Sequence, residues 1–342
     1  MSVQLRDLFP ERPRLDLNLL NNFDDLQKKK IAIVGGAGSI GSEILINLLV
    51  ASVTQIQIWD SDESRMHTLL LSLESTKRRS VGYRLVDIRN YESIESAFDE
   101  FKPQVVIHAA ALKHVSILER QPHEAYLTNV VGTAHIVNAI LRREYVEKAL
   151  FVSSDKAANP INVLGKSKLI GEYLWSYGKE TSSSKTKWSI VRFGNVFMSR
   201  GSVVETFISQ IERGESVTIT HSDMTRFFMD LSEAASLICL ILNLSIDGIS
   251  ILKMGDPISI KLLAQRLFLH YGKCENIVYI GIKPGEKLTE ELFSLSESQD
   301  VVDHGVFFNY KNKTSIATNK VLEPFPKSNE QSVQLLEEFT SE

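Results

Sequence analysis

The sequence predicts an α/β protein with a doubly wound parallel sheet and a smaller interleaved α/β lobe. Three observations predict it. Short apolar runs recur at Ile31–Val34, Gln104–Ala111 and Ala149–Val152, the length of buried strands rather than helices. Helix-length patterns separate them, which is the alternation of parallel βα units. The first run breaks into glycines at Gly35, Gly38 and Gly41, and an apolar helix pattern follows from Ile44 to Val50.

Bulk properties narrow the class. A chain of 342 residues suffices for one large α/β unit or two interleaved domains, and a hydrophobic fraction of 43% is ordinary for a globular protein. The net charge of -4 gives no electrostatic case for nucleic acid. Cys239 and Cys274 are too few and too separated for a disulfide framework or a metal site of their own. Buried thiols in a reducing compartment are expected. Residues 1–24 lack the apolar segment of a signal peptide, and no apolar run approaches a membrane span. The expectation is a cytoplasmic enzyme with no bound metal.

In chain order, residues 1–27 read as an arm with one short helix, and Lys28-Lys-Lys30 as a solvated edge before the first strand. The turn at Gly35–Gly41 then aims backbone N–H groups and a helix N-terminus at one point, which suits a pyrophosphate. A glycine turn without a ligand competes, because the glycine spacing departs from the usual dinucleotide fingerprint. Gln55–Asp60 is the second strand, and Asp60 stands where an acid would meet an adenosine ribose 2′-OH. Its charge repels a 2′-phosphate and Ser61 follows it, which favours NAD over NADP; Arg65 turned inward would reverse that. A turn or cap role for Asp60 competes. Tyr83–Ile88 is the third strand, with Asp87 facing an adenine or capping a loop. The fourth strand runs into Ala109, Ala110 and Ala111, small enough for a flat cofactor or for tight helix packing.

Thr128 to Arg143 is a helix. The fifth strand ends in Ser154, Asp155 and Lys156, and ligands in open α/β sheets bind beyond the carboxyl ends of strands. Adjacent strand residues point to opposite faces, so Asp155 and Lys156 reach one ligand only if the chain turns irregularly just after Ser154. A solvated ion pair is the alternative. A helix from Asn162 to Tyr177 carries Leu164, Lys168 and Glu172 at four-residue spacing, and Trp188–Val196 is the sixth strand. Beyond it, Val217–Thr220, Ile249–Leu252 and Asn276–Ile280 read as strands and Leu231–Leu244 and Ile258–Tyr271 as helices. Residues 28–195 form the dinucleotide-binding half, with 231–254 returning to it. Residues 196–230 and 255–325 form the lobe, and 326–342 a tail.

Taken together the motifs resemble one family across roughly residues 13–295. The chain is similar to extended short-chain dehydrogenases with the Rossmann fold, and within them to nucleotide-sugar 4,6-dehydratases of the bacterial polysaccharide-biosynthesis type, chiefly UDP-N-acetylglucosamine 4,6-dehydratases. The carriers are Val34-Gly-Gly-Ala-Gly-Ser-Ile-Gly41-Ser-Glu43, His108-Ala-Ala-Ala-Leu-Lys113-His114-Val115 and Thr128-Asn129-Val-Val-Gly132-Thr133. Ser153-Ser-Asp-Lys156-Ala-Ala-Asn159-Pro160-Ile-Asn162-Val163, Val191-Arg192-Phe-Gly-Asn195-Val196, Thr220-His221-Ser-Asp-Met-Thr225-Arg226-Phe-Phe-Met229 and Lys283-Pro-Gly-Glu-Lys287-Leu complete them. Many relatives carry membrane spans ahead of the catalytic region; this chain resembles a form without them.

The resemblance implies a tightly held NAD, with NADP as the variant, and a redox-neutral reaction. A hexose is oxidised at C4, loses water across C5 and C6, and is reduced at C6 to a 4-keto-6-deoxy sugar. By resemblance the cofactor contacts are Gly35, Gly38, Ser39, Ile40, Gly41, Asp60, Asp87, Ile88, Ala109, Ala110, Ala111 and Lys168. The catalytic set is Ser154, Asp155 as acid, Lys156 as base and Lys168, and the base must be neutral to act. Lys113, His114, Asn195, Arg226 and Glu286 would face the sugar diphosphate, Arg226 because guanidinium suits it. A core role for His114, an ion pair of Arg226 with Asp223 or Asp230, and turn roles for Asn195 and Glu286 compete; His221 is read as structural. Short-chain dehydrogenases normally place Tyr where Leu164 stands, and some similar dehydratases carry Met; leucine transfers no proton, so Ser154 or a water is expected to take the 4-OH proton. Two rivals share the motifs: a nucleotide-sugar epimerase, or dehydratase of other specificity, and a catalytically silent dinucleotide-binding regulator, which Leu164 would suit. The family forms homo-oligomers, with contact faces expected on helices Thr128–Arg143 and Asn162–Tyr177.

Overall fold

The structure is a computed structural model that describes residues 3–12, 23–294, 297, 301–311, 314–323 and 325–341. Pro13, part of the expected arm, lies outside them. The strands are β1 (Ile31–Val34), β2 (Ile56–Asp60), β3 (Val81–Leu85), β4 (Val105–His108), β5 (Lys148–Val152) and β6 (Lys187–Arg192). They lie in the order 3-2-1-4-5-6 and are parallel throughout. β1 pairs with β2 on one side and β4 on the other, so the winding reverses beside it, where such sheets open a crevice. This is the doubly wound Rossmann fold of the extended short-chain dehydrogenases, as expected. Strands β1, β4 and β5 are buried along their whole length, which explains their unbroken apolar runs.

Several boundaries differ from the sequence reading. β3 starts and ends earlier than Tyr83–Ile88, because Val81 pairs with Ile56 and the ladder stops at Leu85 opposite Asp60. It is the edge strand, and the exposure of Tyr83 and Leu85 blurred its alternation. The sixth strand stops at Arg192, and Asn195–Val196 leaves the sheet to pair with Phe228–Met229. The helix expected from Thr128 begins as Pro122–Ala125, passes through a wider π-turn at Tyr126–Val131 and continues as Gly132–Leu141. Ile258–Ser259 is a strand on Thr225–Arg226, so its helix is Ile260–His270.

The C-terminal third does more than form a lobe. Gly248–Leu252 extends the sheet beside β6 in parallel, and Phe307–Tyr310 joins it antiparallel, with Val302–Asp303 at the edge. Phe307–Tyr310, expected in the lobe, therefore belongs to the main sheet. Residues 326–342, expected as a tail, contain a helix, Asn329–Thr340, that lies on helix Val163–Thr181 and on Pro122–Ala125. Its Leu336 and Phe339 enter the same core as Phe151 and Trp175, each worth about 1.5–3 kcal/mol of burial. Thr318–Leu322 likewise covers Gly132–Leu141. Much of the two helix faces expected to meet another subunit is thus covered from within the chain. The smaller core joins Val204, Phe207, Ile219, Phe228 and Leu263 to Val3, Leu5, Leu8 and Phe9, so the start of the arm is a packed part of the lobe. Of the two thiols, Cys239 is buried as expected and Cys274 is exposed, in the loop after helix Ile260–His270.

Candidate active site

The glycine turn is shaped by packing as well as by any ligand. Gly35 has φ +78°, and a Cβ there would sit 2.5 Å from the Ala110 backbone nitrogen. A Cβ on Gly41 would sit 2.3 Å from the Gly35 carbonyl oxygen. Gly38 differs: a Cβ there would meet only that carbonyl, at 3.2 Å. It is the N-cap of helix Ser39–Val50 and supplies no side-chain cap. The first N–H groups of that helix have no intrahelical acceptor and carry the positive end of its dipole, as an anion requires.

A cavity of about 380 Å³ lies against the turn. It brings together Gly35, Gly38, Asp60, Asp87, Ile88, Ala109, Ala110 and Ala111 from the expected cofactor set; Ser39, Ile40, Gly41 and Lys168 are off its wall. The Asp60 carboxylate accepts from the Ala37 and Asp62 nitrogens, both at 3.0 Å, so it ties β2 to the glycine turn. The helix cap is Asp62, which also holds Arg65 at 3.0 Å. Asp87 is paired with Arg89 at 2.7 Å, and the hydrogen bonds from that guanidinium hold its carboxyl below the usual range. Leu112 and Thr128 also line the cavity. Next to them, Asn129 grips Leu112 at both its N–H (2.8 Å) and its carbonyl (3.0 Å) and donates to Ser167. The π-turn thus clamps the loop after β4 to the helix that bears Lys168.

Lys113 and His114 go to the glycine-turn end. Lys113 Nζ donates to the Arg200 carbonyl at 2.7 Å, and Arg200 N donates to Ser39 Oγ at 3.2 Å. The His114 ring lies against Gly201, where a Cβ would approach it to 2.7 Å. His114 is exposed, which excludes the core-histidine reading.

The carboxyl end of β5 resolves the alternation problem. Ser154 is still extended, and Asp155–Ala157 then forms one turn of 3-10 helix, with Ser154 Oγ accepting from the Lys156 N–H at 3.3 Å. That turn carries the Lys156 amine back to its neighbour: Nζ stands 3.1 Å from Asp155 Oδ1 and 3.4 Å from Asn195 Oδ1. Ser154 Oγ donates to the same Asp155 oxygen at 2.8 Å. Asp155 is fully buried, yet its Oδ2 has no partner among the described residues. A Cβ on Gly194 would lie 2.9 Å from that oxygen, so glycine keeps its approach open.

Behind this end stands Lys168. Its Nζ donates to the Val152 carbonyl at 2.6 Å and lies 4.4 Å from the Phe151 ring centre. Burial lowers its pKa from 10.5 to about 8, with Glu172 opposing. It is no surface lysine. Glu172 is buried too, bonded to Ser153 at 2.5 Å and to Arg192 at 2.6 Å, with Glu297 on the far side of Arg192. Leu164 points into the apolar core.

On the lobe side, Arg226 pairs with neither Asp223 nor Asp230. Its Nη1 donates to the carbonyls of Thr225 (2.7 Å) and Leu288 (3.1 Å). Glu286 accepts from the Lys283 N–H at 3.1 Å, which is the turn role. The same segment supplies a residue that sequence reasoning missed. Glu290 is 3% exposed, and its Oε1 is 3.7 Å from Lys156 Nζ. No signal in the residues beside it marks Glu290 as buried; its neighbour Leu288 is itself exposed. No cluster of His, Cys, Asp or Glu fit to hold a metal occurs among the described residues, and no helix there is long and apolar enough to cross a membrane.

Residues 31–312 match the family model described as polysaccharide biosynthesis protein. The chain belongs to that family. It is 39% identical over 302 residues to capsular polysaccharide biosynthesis protein CapD of Staphylococcus aureus, covering 86% of this chain and 50% of that one. It therefore spans about half the length of that relative. It is 32% identical to a UDP-glucose 4-epimerase of Rickettsia akari, covering 92% and 91%. Among solved structures, Pen from Bacillus thuringiensis superposes with a TM-score of 0.80 at 35% identity, over 85% and 91% of the two chains. A Thermus thermophilus UDP-glucose 4-epimerase solved with NAD shares the fold at a TM-score of 0.66 and 24% identity, over 78% and 91%.

Proposed function

We propose that the chain is an NAD-dependent nucleotide-sugar 4,6-dehydratase, with UDP-N-acetylglucosamine the favoured substrate. The observation that carries the reading is the turn at Asp155–Ala157, which brings a carboxyl and an amine to one point at the carboxyl end of β5. A binding-only protein has no use for that pair. The cavity against the glycine turn, the uncapped helix N-terminus and the small Ala109–Ala111 wall fit a dinucleotide. NAD, when bound, supplies a hydride acceptor that becomes the hydride donor within the same turnover.

The chain's own residues then have defined tasks. Lys156, neutral, takes the C5 proton of the 4-keto sugar while Asp155 gives its proton to the departing 6-oxygen. Afterwards the amine is an ammonium and the carboxyl a carboxylate, the 3.1 Å ion pair seen in the structure. Ser154, bonded to Asp155, is the hydroxyl placed to relay the 4-OH proton in the absence of a tyrosine at Leu164. Lys168 would hold the nicotinamide ribose. Asp60 disfavours NADP, while Arg65, paired with Asp62, stands on the same cavity wall.

The test is incubation with UDP-N-acetylglucosamine and mass spectrometry of the sugar. Loss of one water supports dehydration. An unchanged mass with inverted C4 favours the epimerase reading, which the Rickettsia akari relative suggests. Lys156→Ala is expected to abolish turnover and retain bound dinucleotide; persistent turnover would remove Lys156 from the base role.

A further inference from the structure

Lys156 faces more negative charge than the reaction assigns to it. Among the described residues its amine has two charged neighbours within 4 Å: Asp155 on its own turn, at 3.1 Å, and Glu290 from the lobe, at 3.7 Å. Asn195, neutral, approaches from the strand after β6. Asp155 and Glu290 are 0% and 3% exposed, and each has one carboxylate oxygen, Oδ2 and Oε2, without a partner. One amine, on a side chain 14% exposed, between two such carboxylates is an unbalanced set. A buried carboxylate oxygen left unpaired costs about 1–3 kcal/mol or more, so its retention asks for a reason. Packing alone does not give one, since a glutamine or leucine would fill the same volume.

Glu290 also joins two parts of the molecule. Its segment is pinned to the β5 end elsewhere: the Gly285 carbonyl accepts from Asn162 at 2.8 Å, and Lys287 donates to the Asn159 carbonyl at 2.6 Å. Glu290 is the point at which the lobe meets the amine itself.

We infer that Glu290 is a positioning residue for Lys156: it fixes the amine between Asp155 and Asn195. The inference rests on the base role proposed above for Lys156. The pinned loop keeps the Glu290 carboxyl beside the amine.

The experiment uses the intact protein as purified. Trace acetylation with acetic anhydride is followed by mass spectrometry, comparing Lys156 with the exposed Lys28 in the same molecule. In Glu290→Gln the amine loses the carboxylate that holds it between Asp155 and Asn195, and its rate relative to Lys28 at pH 8 is expected to rise severalfold. Equal relative rates in wild type and variant would overturn the inference. Should Glu290→Gln fail to fold, Glu290→Asp, which keeps the charge and withdraws it, is expected to give a smaller rise of the same form. Labelling needs no turnover. If it behaves as expected and no sugar is dehydrated, the dehydratase reading falls and the positioning of Lys156 stands. If sugar is dehydrated and labelling is flat, the role of Glu290 falls alone. On the sugar, Glu290→Gln is expected to lower kcat with KM within about twofold.

Discussion

Lys168 offers the sharpest test of the site's electrostatics. Its ammonium is buried against Phe151, and burial lowers its pKa from 10.5 to about 8. The unfolded chain therefore binds more protons than the folded one between those values, and stability rises with pH across them. Below pH 8 the folded protein carries the full penalty of holding the ammonium, about 3 kcal/mol; by pH 10.5 it is nearly gone. Lys168→Met keeps the aliphatic stem and removes the titrating group. It also strips the Val152 carbonyl of its donor, which costs about 1–3 kcal/mol. The two effects oppose, so the proteins should unfold at similar denaturant concentrations at pH 7. As pH rises from 8 to 10.5 the wild type is expected to gain about 3 kcal/mol on the variant. Denaturant melts at each pH read this difference, and titrations common to both proteins cancel. Curves that stay parallel from pH 7 to pH 10.5 would refute the reasoning, and a wild type that loses ground would reverse its sign. In the proposed function the same variant also loses affinity for the dinucleotide.

Two further outcomes follow from packing and burial. Gly41→Ala places a Cβ 2.3 Å from one backbone atom and 2.8 Å from another; neither can rotate away, so a loss of about 3 kcal/mol in denaturant melts is expected, together with loss of dinucleotide binding. Burial pushes the Cys239 thiol up to about 12, whereas Cys274 is exposed. A disulfide-exchange reagent at pH 8 is expected to titrate one thiol per native chain and two in denaturant.

What the sequence made legible was whatever depends on local pattern. The apolar runs of β1, β4 and β5 are unbroken because both faces of those strands are covered, and their parallel sense follows from the helices between them. Asp155 and Lys156 were legible as a pair because a strand end and two charged residues coincide, and the irregular turn their adjacency demanded is present. Edges were harder. β3 misled because an edge strand faces solvent, so its apolar positions no longer mark a core. The C-terminal helix misled for a different reason: Asn329–Thr340 carries few apolar residues, and its value lies in Leu336 and Phe339 meeting a surface made by residues far away in the chain.

That distinction explains why Glu290 escaped notice while Asp155 did not. A carboxylate in a polar, turn-rich stretch reads as a solvated group, since exposed Glu is the common case. The resemblance drew attention to Glu286 in the same segment but not to Glu290, and the contacts that pin the segment to the end of β5 run to Asn162 and Asn159, far away in the chain. Burial of a charge is a property of assembly, set when separate elements close on one another. It follows that the groups that hold the proposed acid and base in place are harder to read from sequence than the proposed pair themselves. The latter sit where the fold class puts ligands. The former sit wherever the remaining chain crosses that point, and here it crosses with one carboxylate whose outer oxygen has no partner in the described structure.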